Sequence, residues 1–270
     1  MNILVCVKQV PDTDAVKIDP ITHTLIRDSA PAIMNPFDAL AFETALLLKD
    51  KQPECTEVTL LCMGPEAAKS MLREGLAAGA DHAYLISGKF AAGSDTLATS
   101  YILSRAVLYV EQTKGMRFDI IFTGKHAIDG ETAHVGPQLA EHLGYGQITS
   151  AIALEVNGTV LQVTQETETS INKFEADLPC VVTVAKAEKP LRNSTLKRRM
   201  AVNSMDIAVI DQNALGSLLD LSRCGLDGSP TMVQASFSPE TNKDCLLINE
   251  ASEVASARRL VAVLSDADMI

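Results

Sequence analysis

Short apolar runs alternate with segments of helical spacing over the first 145 residues. Residues 2–7 (NILVCV), 57–63 (EVTLLCM), 82–86 (HAYLI) and 118–123 (FDIIFT) are strand-sized, and continuous enough in hydrophobicity for strands buried on both faces. Between them, residues 37–51, 66–78 and about 96–111 place apolar side chains at helical intervals, the first after Asn35-Pro36 and the second after Gly64-Pro65. Such a β-α-β-α-β order predicts a parallel sheet covered on both faces, with right-handed crossovers. After the strand at 118–123 comes a polar loop, and a further helix starts at Val135-Gly136-Pro137, where proline suits the first turn.

Beyond Gly144 the period falls to two. Residues 151–156 and 160–164 flank Asn157-Gly158, which predicts a hairpin with a type I′ turn, and 180–184 reads as another strand after Leu178-Pro179. From about residue 190 the chain is rich in Pro, Asn and Ser and carries the basic run 197–199, so a protruding loop and then an extended arm are expected. A last helix, at about 250–264, is entered through Asn249. The expected fold class is α/β: a doubly wound parallel sheet of the adenine-nucleotide-binding type, with a small antiparallel hairpin region and a C-terminal arm ending in a helix. Residues 1–210 would form the nucleotide- or flavin-binding domain. Residues 211–270 would form the arm, which can hardly bury its own apolar residues and is expected to pack on another chain.

Charge and composition narrow the function. Among 270 residues, 23 basic and 34 acidic side chains leave a net charge of −11, which disfavours nonspecific binding to nucleic acid. No apolar run approaches the roughly 18 residues of a membrane helix, and MNILVCVKQV makes a poor signal peptide, so a cytoplasmic protein without membrane insertion is expected. The six cysteines contain no Cys-x-x-Cys pair, which speaks against zinc ribbons, iron–sulfur clusters and thioredoxin-type chemistry. Cys6, Cys62 and Cys180 lie in apolar runs as small hydrophobes.

The loop at 124–137 (GKHAIDGETAHVGP) holds the strongest candidate chemistry. It lies at a strand's carboxyl end and precedes a helix N-terminus, where ligands of open α/β sheets bind and unpaired N–H groups favour phosphate. Asp129 and Glu131 are acceptors, Thr132 carries a hydroxyl, and Gly124, Gly130 and Gly136 admit close backbone approach. The competing reading is an ordinary strand-to-helix loop in which Asp129 caps and the glycines turn the chain. The loop matches neither the Walker pattern nor Gly-x-Gly-x-x-Gly. His126, His134 and His142 are poorly spaced for a metal, because eight residues of helix set the last two about 80° apart and two turns apart in height. In the segment 91–99 (AAGSDTLAT), Ser94 or Asp95 caps a helix, and the same Ser/Asp/Thr cluster can face the carbonyls and ring nitrogens of a cofactor. Leu196-Lys197-Arg198-Arg199-Met200 reads either as a solvated loop or as a docking loop, with Leu196 or Met200 entering an apolar pocket while the basic residues steer. No nucleophile–base signature appears, which disfavours an enzyme acting through its own side chains.

VCVKQVPDT (5–13), MNPFDALAFETAL (34–46), CMGPEAAKSMLREGLAAGAD (62–81), GKHAIDGETAHVGP (124–137) and LPCVVTV (178–184) together resemble the beta subunit of an electron-transferring flavoprotein. That resemblance implies a nucleotide site formed by Cys6, Asn35, Pro36, Phe37, Asp38, Met63 and the loop Gly124, Lys125, His126, Ala127, Ile128, Asp129, Gly130, Glu131, Thr132, Ala133, His134, Val135 and Gly136. Ordinary members hold AMP there. The Asp-Gly-Glu-Thr version is similar to the electron-bifurcating branch, which implies FAD in this site and NADH as electron donor. Asp95, Thr96 and Thr99 would then lie near the flavin ring, and Gly130 and Gly136 would leave room for the second phosphate and the ribityl chain. His134 departs from the glutamine frequent in that branch, and residues 188–192 depart from the more usual Asn-Glu-Pro-Arg. The implied partners are an alpha subunit carrying FAD; a flavin dehydrogenase (an acyl-CoA dehydrogenase, enoyl-CoA reductase or lactate dehydrogenase) docked through Leu196; and ferredoxin or flavodoxin. The rival from another class is a nucleotide-sensing module similar to universal stress proteins, whose phosphate-loop glycines are missing here.

Overall fold

The computed structural model describes residues 1–12, 17–18, 25–26, 31–203, 205–232 and 245–270. Thr13 of the first motif and 233–244 of the expected arm lie outside these residues. Two compact units result, Met1–Met232 and Val233–Ile270.

In the first unit, β1 (Asn2–Val7) leads into two short antiparallel pairs, β2 (Gln9–Pro11) with β5 (Ala32–Met34) and β3 (Lys17–Ile18) with β4 (Leu25–Ile26). The alternation follows as α1 (Pro36–Lys51), β6 (Glu57–Met63), α2 (Lys69–Ala78), β7 (His82–Ile86), α3 (Thr96–Lys114), β8 (Ile120–Gly124) and α4 (Val135–Leu143). Next come β9 (Gly146–Asn157), β10 (Val160–Glu166), β11 (Ile171–Asp177), β12 (Cys180–Val184), α5 (Leu196–Val202), β13 (Ala208–Ile210) and α6 (Gln212–Leu215). One nine-stranded sheet has the order β11-β10-β9-β12-β8-β1-β6-β7-β13, and in it only β10 runs against its neighbours.

Alternation along β1 explains why both faces are covered. Ile3, Val5 and Val7 join Phe42 and Leu46 of α1 and Leu72 of α2 in one core, while Leu4 and Cys6 join Ile102 and Val107 of α3 and Leu139 of α4 in the other. All these side chains are almost completely removed from water, and each contributes about 1.5–3 kcal/mol of transfer free energy. The sheet is thus doubly wound, as its sequence pattern predicts.

Several elements depart from expectation, each for a local reason. The hairpin forms, but Asn157 pairs with Val160, so its central residues are Gly158 and Thr159. Positive φ occurs at Gly158 (66°) and not at Thr159, which is the sign pattern of a type II′ turn rather than the expected I′. Strand β9 begins at Gly146, five residues early, because its first half pairs in parallel with β12. The unpredicted β11 (INKFEAD) is an edge strand whose mostly exposed, polar residues give no apolar run. Residues 66–68 form a 3₁₀ turn that precedes α2. Where a protruding loop was expected, α5 forms, started by Thr195, whose hydroxyl accepts from Arg198 N. Strand β13 adds to the sheet edge beside β7, and beyond it Leu215 and Cys224 join the core of the first unit while Thr231 bonds to Asp95.

In the second unit, α7 (Glu253–Asp266) is capped by Ser252 rather than entered through Asn249. Among the described residues, no helix is long and apolar enough to cross a membrane.

Candidate functional site

From β1 the chain crosses by α1 to β6 on one side, and from β7 it crosses by α3 to β8 on the other. The order therefore switches between β1 and β8, and an open α/β sheet leaves its ligand crevice outside the carboxyl ends of such strands. A cavity of about 320 Å³ lies there, between the ends of β1 and β8, the start of α3 and the loop into α4.

The connection from β1 to α1 fastens the loop of the cavity at three successive points. Asp38 Oδ1 accepts from Gly124 N at 3.0 Å while Oδ2 accepts from Lys8 N at 2.8 Å. Asn35, fully buried, donates from Nδ2 to His126 O at 2.9 Å and accepts on Oδ1 from Ile128 N at 3.2 Å. Lys8 Nζ bonds both carboxylate oxygens of Asp129, at 2.8 and 2.7 Å. Phe37 packs its ring on His126, with centroids 4.4 Å apart. Ala127 O accepts from both Gly130 N and Glu131 N, which folds the loop tightly, and Glu131 and Ala133 take left-handed φ values of 54° and 57°. Non-glycine residues in that region carry strain that the surroundings must hold.

No side chain caps the start of α4, and residues 132–136 line the cavity, so the backbone N–H groups that a helix start leaves without an internal partner lie at its wall. Such a terminus favours an anion. On the opposite wall, Asp95 caps α3 by accepting from Leu97 N and Ala98 N, and its other oxygen accepts from Thr231 N and Oγ1. Those hydrogen bonds hold the Asp95 carboxyl below the ordinary range even though desolvation pulls it upward. Burial pushes Asp38 up to about 7, against the hydrogen bonds from Asn35, Lys8 and Gly124. Burial drives the Cys6 thiol far above its ordinary value, so it stays protonated.

Of the residues expected at the site, Cys6, Asp38, Met63, Asp95, Thr96, Thr99, 124–127 and 129–136 line the cavity. Asn35, Pro36, Phe37 and Ile128 do not: Asn35 and Phe37 shape the loop from behind, and Ile128 offers its N–H to Asn35. Val7, the neighbour of Cys6, and Ser94 of the 91–99 cluster line it too, as expected, while Lys8, Leu61, Leu103 and Thr123 do so unforeseen. Most had a signal: Lys8 follows the end of β1, Leu61 shares a face of β6 with Met63, and Leu103 stands one helical turn beyond Thr99.

The three glycines of the loop differ. A Cβ on Gly130 would meet nothing within 4 Å. On Gly136 it would lie 2.5 Å from Thr183 Cγ2 and 2.8 Å from Thr123 Oγ1, so in that direction the glycine serves the packing of α4 on β8 and β12 rather than making the expected room, while the residue still lines the cavity. At Gly124 a Cβ would lie 2.4 Å from Asp38 Oδ1 and 2.7 Å from the Phe37 carbonyl carbon, so it admits the start of α1. His134 lines the cavity, while His142 packs edge-on to Tyr101 with centroids 5.8 Å apart.

The basic segment lies on α5. Leu196 and Met200, four residues apart, are 74% and 71% exposed, so they share one outward helical face. Arg198 Nη1 reaches Ala78 O of α2 at 3.5 Å, and Arg199 Nε donates to Ser194 Oγ at 2.8 Å.

Comparison with known proteins is consistent with this geometry. The family model described as electron transfer flavoprotein domain matches residues 22–215. The electron transfer flavoprotein subunit beta of Megasphaera elsdenii is 47% identical over 249 residues, covering 92% of this chain and 91% of that protein. The protein FixA of Azorhizobium caulinodans is 39% identical over 265 residues, with 97% and 93% covered. The caffeyl-CoA reductase-Etf complex subunit CarD of Acetobacterium woodii is 39% identical over 270 residues, with 100% of both chains covered.

Proposed function

The chain belongs to the electron transfer flavoprotein family, among its beta subunits, and from that premise we propose that it is the beta subunit of an electron-bifurcating flavoprotein. In this reading it works in the cytoplasm with an alpha subunit, on which its C-terminal arm packs, and binds FAD in the cavity at the switch point. NADH is the electron donor. One electron goes to the alpha-subunit FAD and on to a partner dehydrogenase, and the other to ferredoxin or flavodoxin. The relative CarD carries a CoA-thioester reductase in its printed name, which supports an acyl-CoA dehydrogenase or enoyl-CoA reductase over a lactate dehydrogenase as partner.

One observation carries the FAD reading: the uncapped start of α4 stands beside Gly130, whose side-chain direction is open. The donor set fits a dinucleotide. Backbone N–H groups at 132–136 with Lys8 and Lys125 would hold phosphate, and Asp95, Thr96 and Thr99 would offer hydrogen bonds to a ring system. When bound, the flavin would supply the interconversion of two-electron and one-electron transfer. The chain's own part is to orient and exclude water. Asn35 and Asp38 hold the loop, Leu61, Met63 and Leu103 make an apolar wall, and Cys6 stays an uncharged thiol.

A specific observation favours the second reading, in which this subunit holds AMP and transfers electrons without NADH chemistry. Gly136, one of the two glycines expected to make room, is filled on its open side by Thr123 and Thr183. Anaerobic titration of the purified alpha–beta complex with NADH separates the two. The bifurcating reading predicts bleaching of flavin absorbance by NADH alone, with ferredoxin reduced only while the dehydrogenase substrate is turning over. No bleaching would overturn it.

A further inference from the structure

Glu43 sits midway along α1 with 2% of its surface exposed, a carboxylate withdrawn from water in a helix whose other buried side chains, Asp38 apart, are apolar. Such a group is costly unless paired and fully hydrogen-bonded. Its partner is Arg192, 149 residues away in sequence. Glu43 Oε2 accepts from Arg192 N at 3.0 Å and from Nε at 3.1 Å, while Oε1 accepts from Nη2 at 2.8 Å and Nε at 3.1 Å. The far edge of the guanidinium is taken by Asp50, one residue short of the end of α1, at 3.2 Å from Nη1 and 2.7 Å from Nη2. These two carboxylates raise the Arg192 guanidinium further above its ordinary range. Backbone and side chain of one residue are therefore both held by one helix.

The residues just after Arg192 give this clamp a purpose. Ser194 accepts from Arg199, Thr195 caps Arg198 N, and α5 begins at Leu196, four residues past the clamp. Arg198 ties the other side of α5 to the C-terminal end of α2. A helix of seven residues is marginal by itself in water, yet this one presents Leu196 and Met200 outward on a fixed face. Rigid presentation lowers the ordering cost of association.

We propose that Arg192 is a positioning residue which, clamped by Glu43 and Asp50 of α1, pre-forms α5 as the docking helix for the partner dehydrogenase. The inference rests on the docking reading of Leu196 and Met200, and it adds the device that keeps them presented. The geometry also explains why lysine would serve less well, because an ammonium lacks the planar fork that bonds both carboxylates at once.

The test uses the alpha–beta complex with the double substitution Arg192→Met and Glu43→Gln, which removes the clamp without leaving a buried charge unpaired. Trypsin cleavage after Lys197, Arg198 and Arg199, read by mass spectrometry, should accelerate by about tenfold as α5 opens locally. With an acyl-CoA dehydrogenase reduced by its acyl-CoA as the probe, KM for the complex should rise by about tenfold with kcat unchanged, because a positioning loss acts on association. Cofactor content should not change, and Arg192→Lys should fall between. Unchanged cleavage, or faster cleavage with unchanged KM, would overturn the proposal. Leu196→Ala distinguishes it from the docking reading on which it rests. If that variant leaves KM unaltered, the docking role fails, while the cleavage rate still decides whether Arg192 holds α5.

Discussion

Helix α1 fastens other segments at both ends, and the two fastenings differ in physics. At its start, Asn35 and Asp38 bind backbone groups of the loop after β8 from deep within the protein. At its middle and end, Glu43 and Asp50 bind a guanidinium that is 31% exposed. The first fastening is made by buried side chains on backbone partners, and through Asp38 it is sensitive to protonation. The second is charge on charge and spans the rim, with Glu43 buried and Asp50 and the guanidinium in reach of solvent. The cavity wall is thus held mainly by backbone partners, and the start of α5 mainly by an ion pair.

The first fastening breaks most severely at Gly124. Gly124→Ala would force a methyl against the Phe37 backbone and Asp38 Oδ1, so it should cost about 3 kcal/mol in denaturant unfolding and abolish nucleotide binding. An unchanged midpoint with full binding would show that this fastening is looser than described. Asp38→Asn comes next. Asparagine keeps an acceptor for one N–H but turns a donor toward the other, a loss of about 1–2 kcal/mol. It also carries a pH signature. Because burial raises Asp38 from 3.8 to about 7, the folded protein holds this proton more tightly than the unfolded chain does. The group's contribution is therefore complete below about pH 4 and is lost as pH rises through about 7. Unfolding at a series of pH values should show that decline in the wild type, and a flatter profile in the variant. Equal slopes would remove Asp38 as its source. The smallest effect on the fold belongs to Leu196→Ala. At 74% exposure it should change stability by less than about 0.5 kcal/mol and leave cofactor content intact, while slowing electron transfer to the dehydrogenase in stopped-flow mixing.

Much of the fold was legible because its strands are buried on both faces: β1, β6, β7, β8 and β12 read as unbroken apolar runs. Legibility failed where burial is one-sided or slight. The edge strand β11 is mostly exposed and polar, and α5 is too short and too basic to show a helical period, so the shared face of Leu196 and Met200 is visible only once a helix is assumed. At the site, residues that touch the cavity through the loop were legible from its glycines and its place after β8. Asn35 shows what was not: its neighbours in sequence gave no sign that its amide would turn from the cavity and bond His126 and Ile128. Gly136 shows the converse, a glycine legible as special whose reason, the side chains of Thr123 and Thr183, comes from two strands distant in sequence.

On the bifurcating reading, the cavity between β1 and β8 holds a redox flavin. The most direct measurement is the nucleotide content of the purified alpha–beta heterodimer, released by denaturation and quantified for FAD and AMP by chromatography. Two FAD and no AMP per heterodimer is the predicted result. One FAD with one AMP would contradict it, and would assign the cavity to a structural nucleotide.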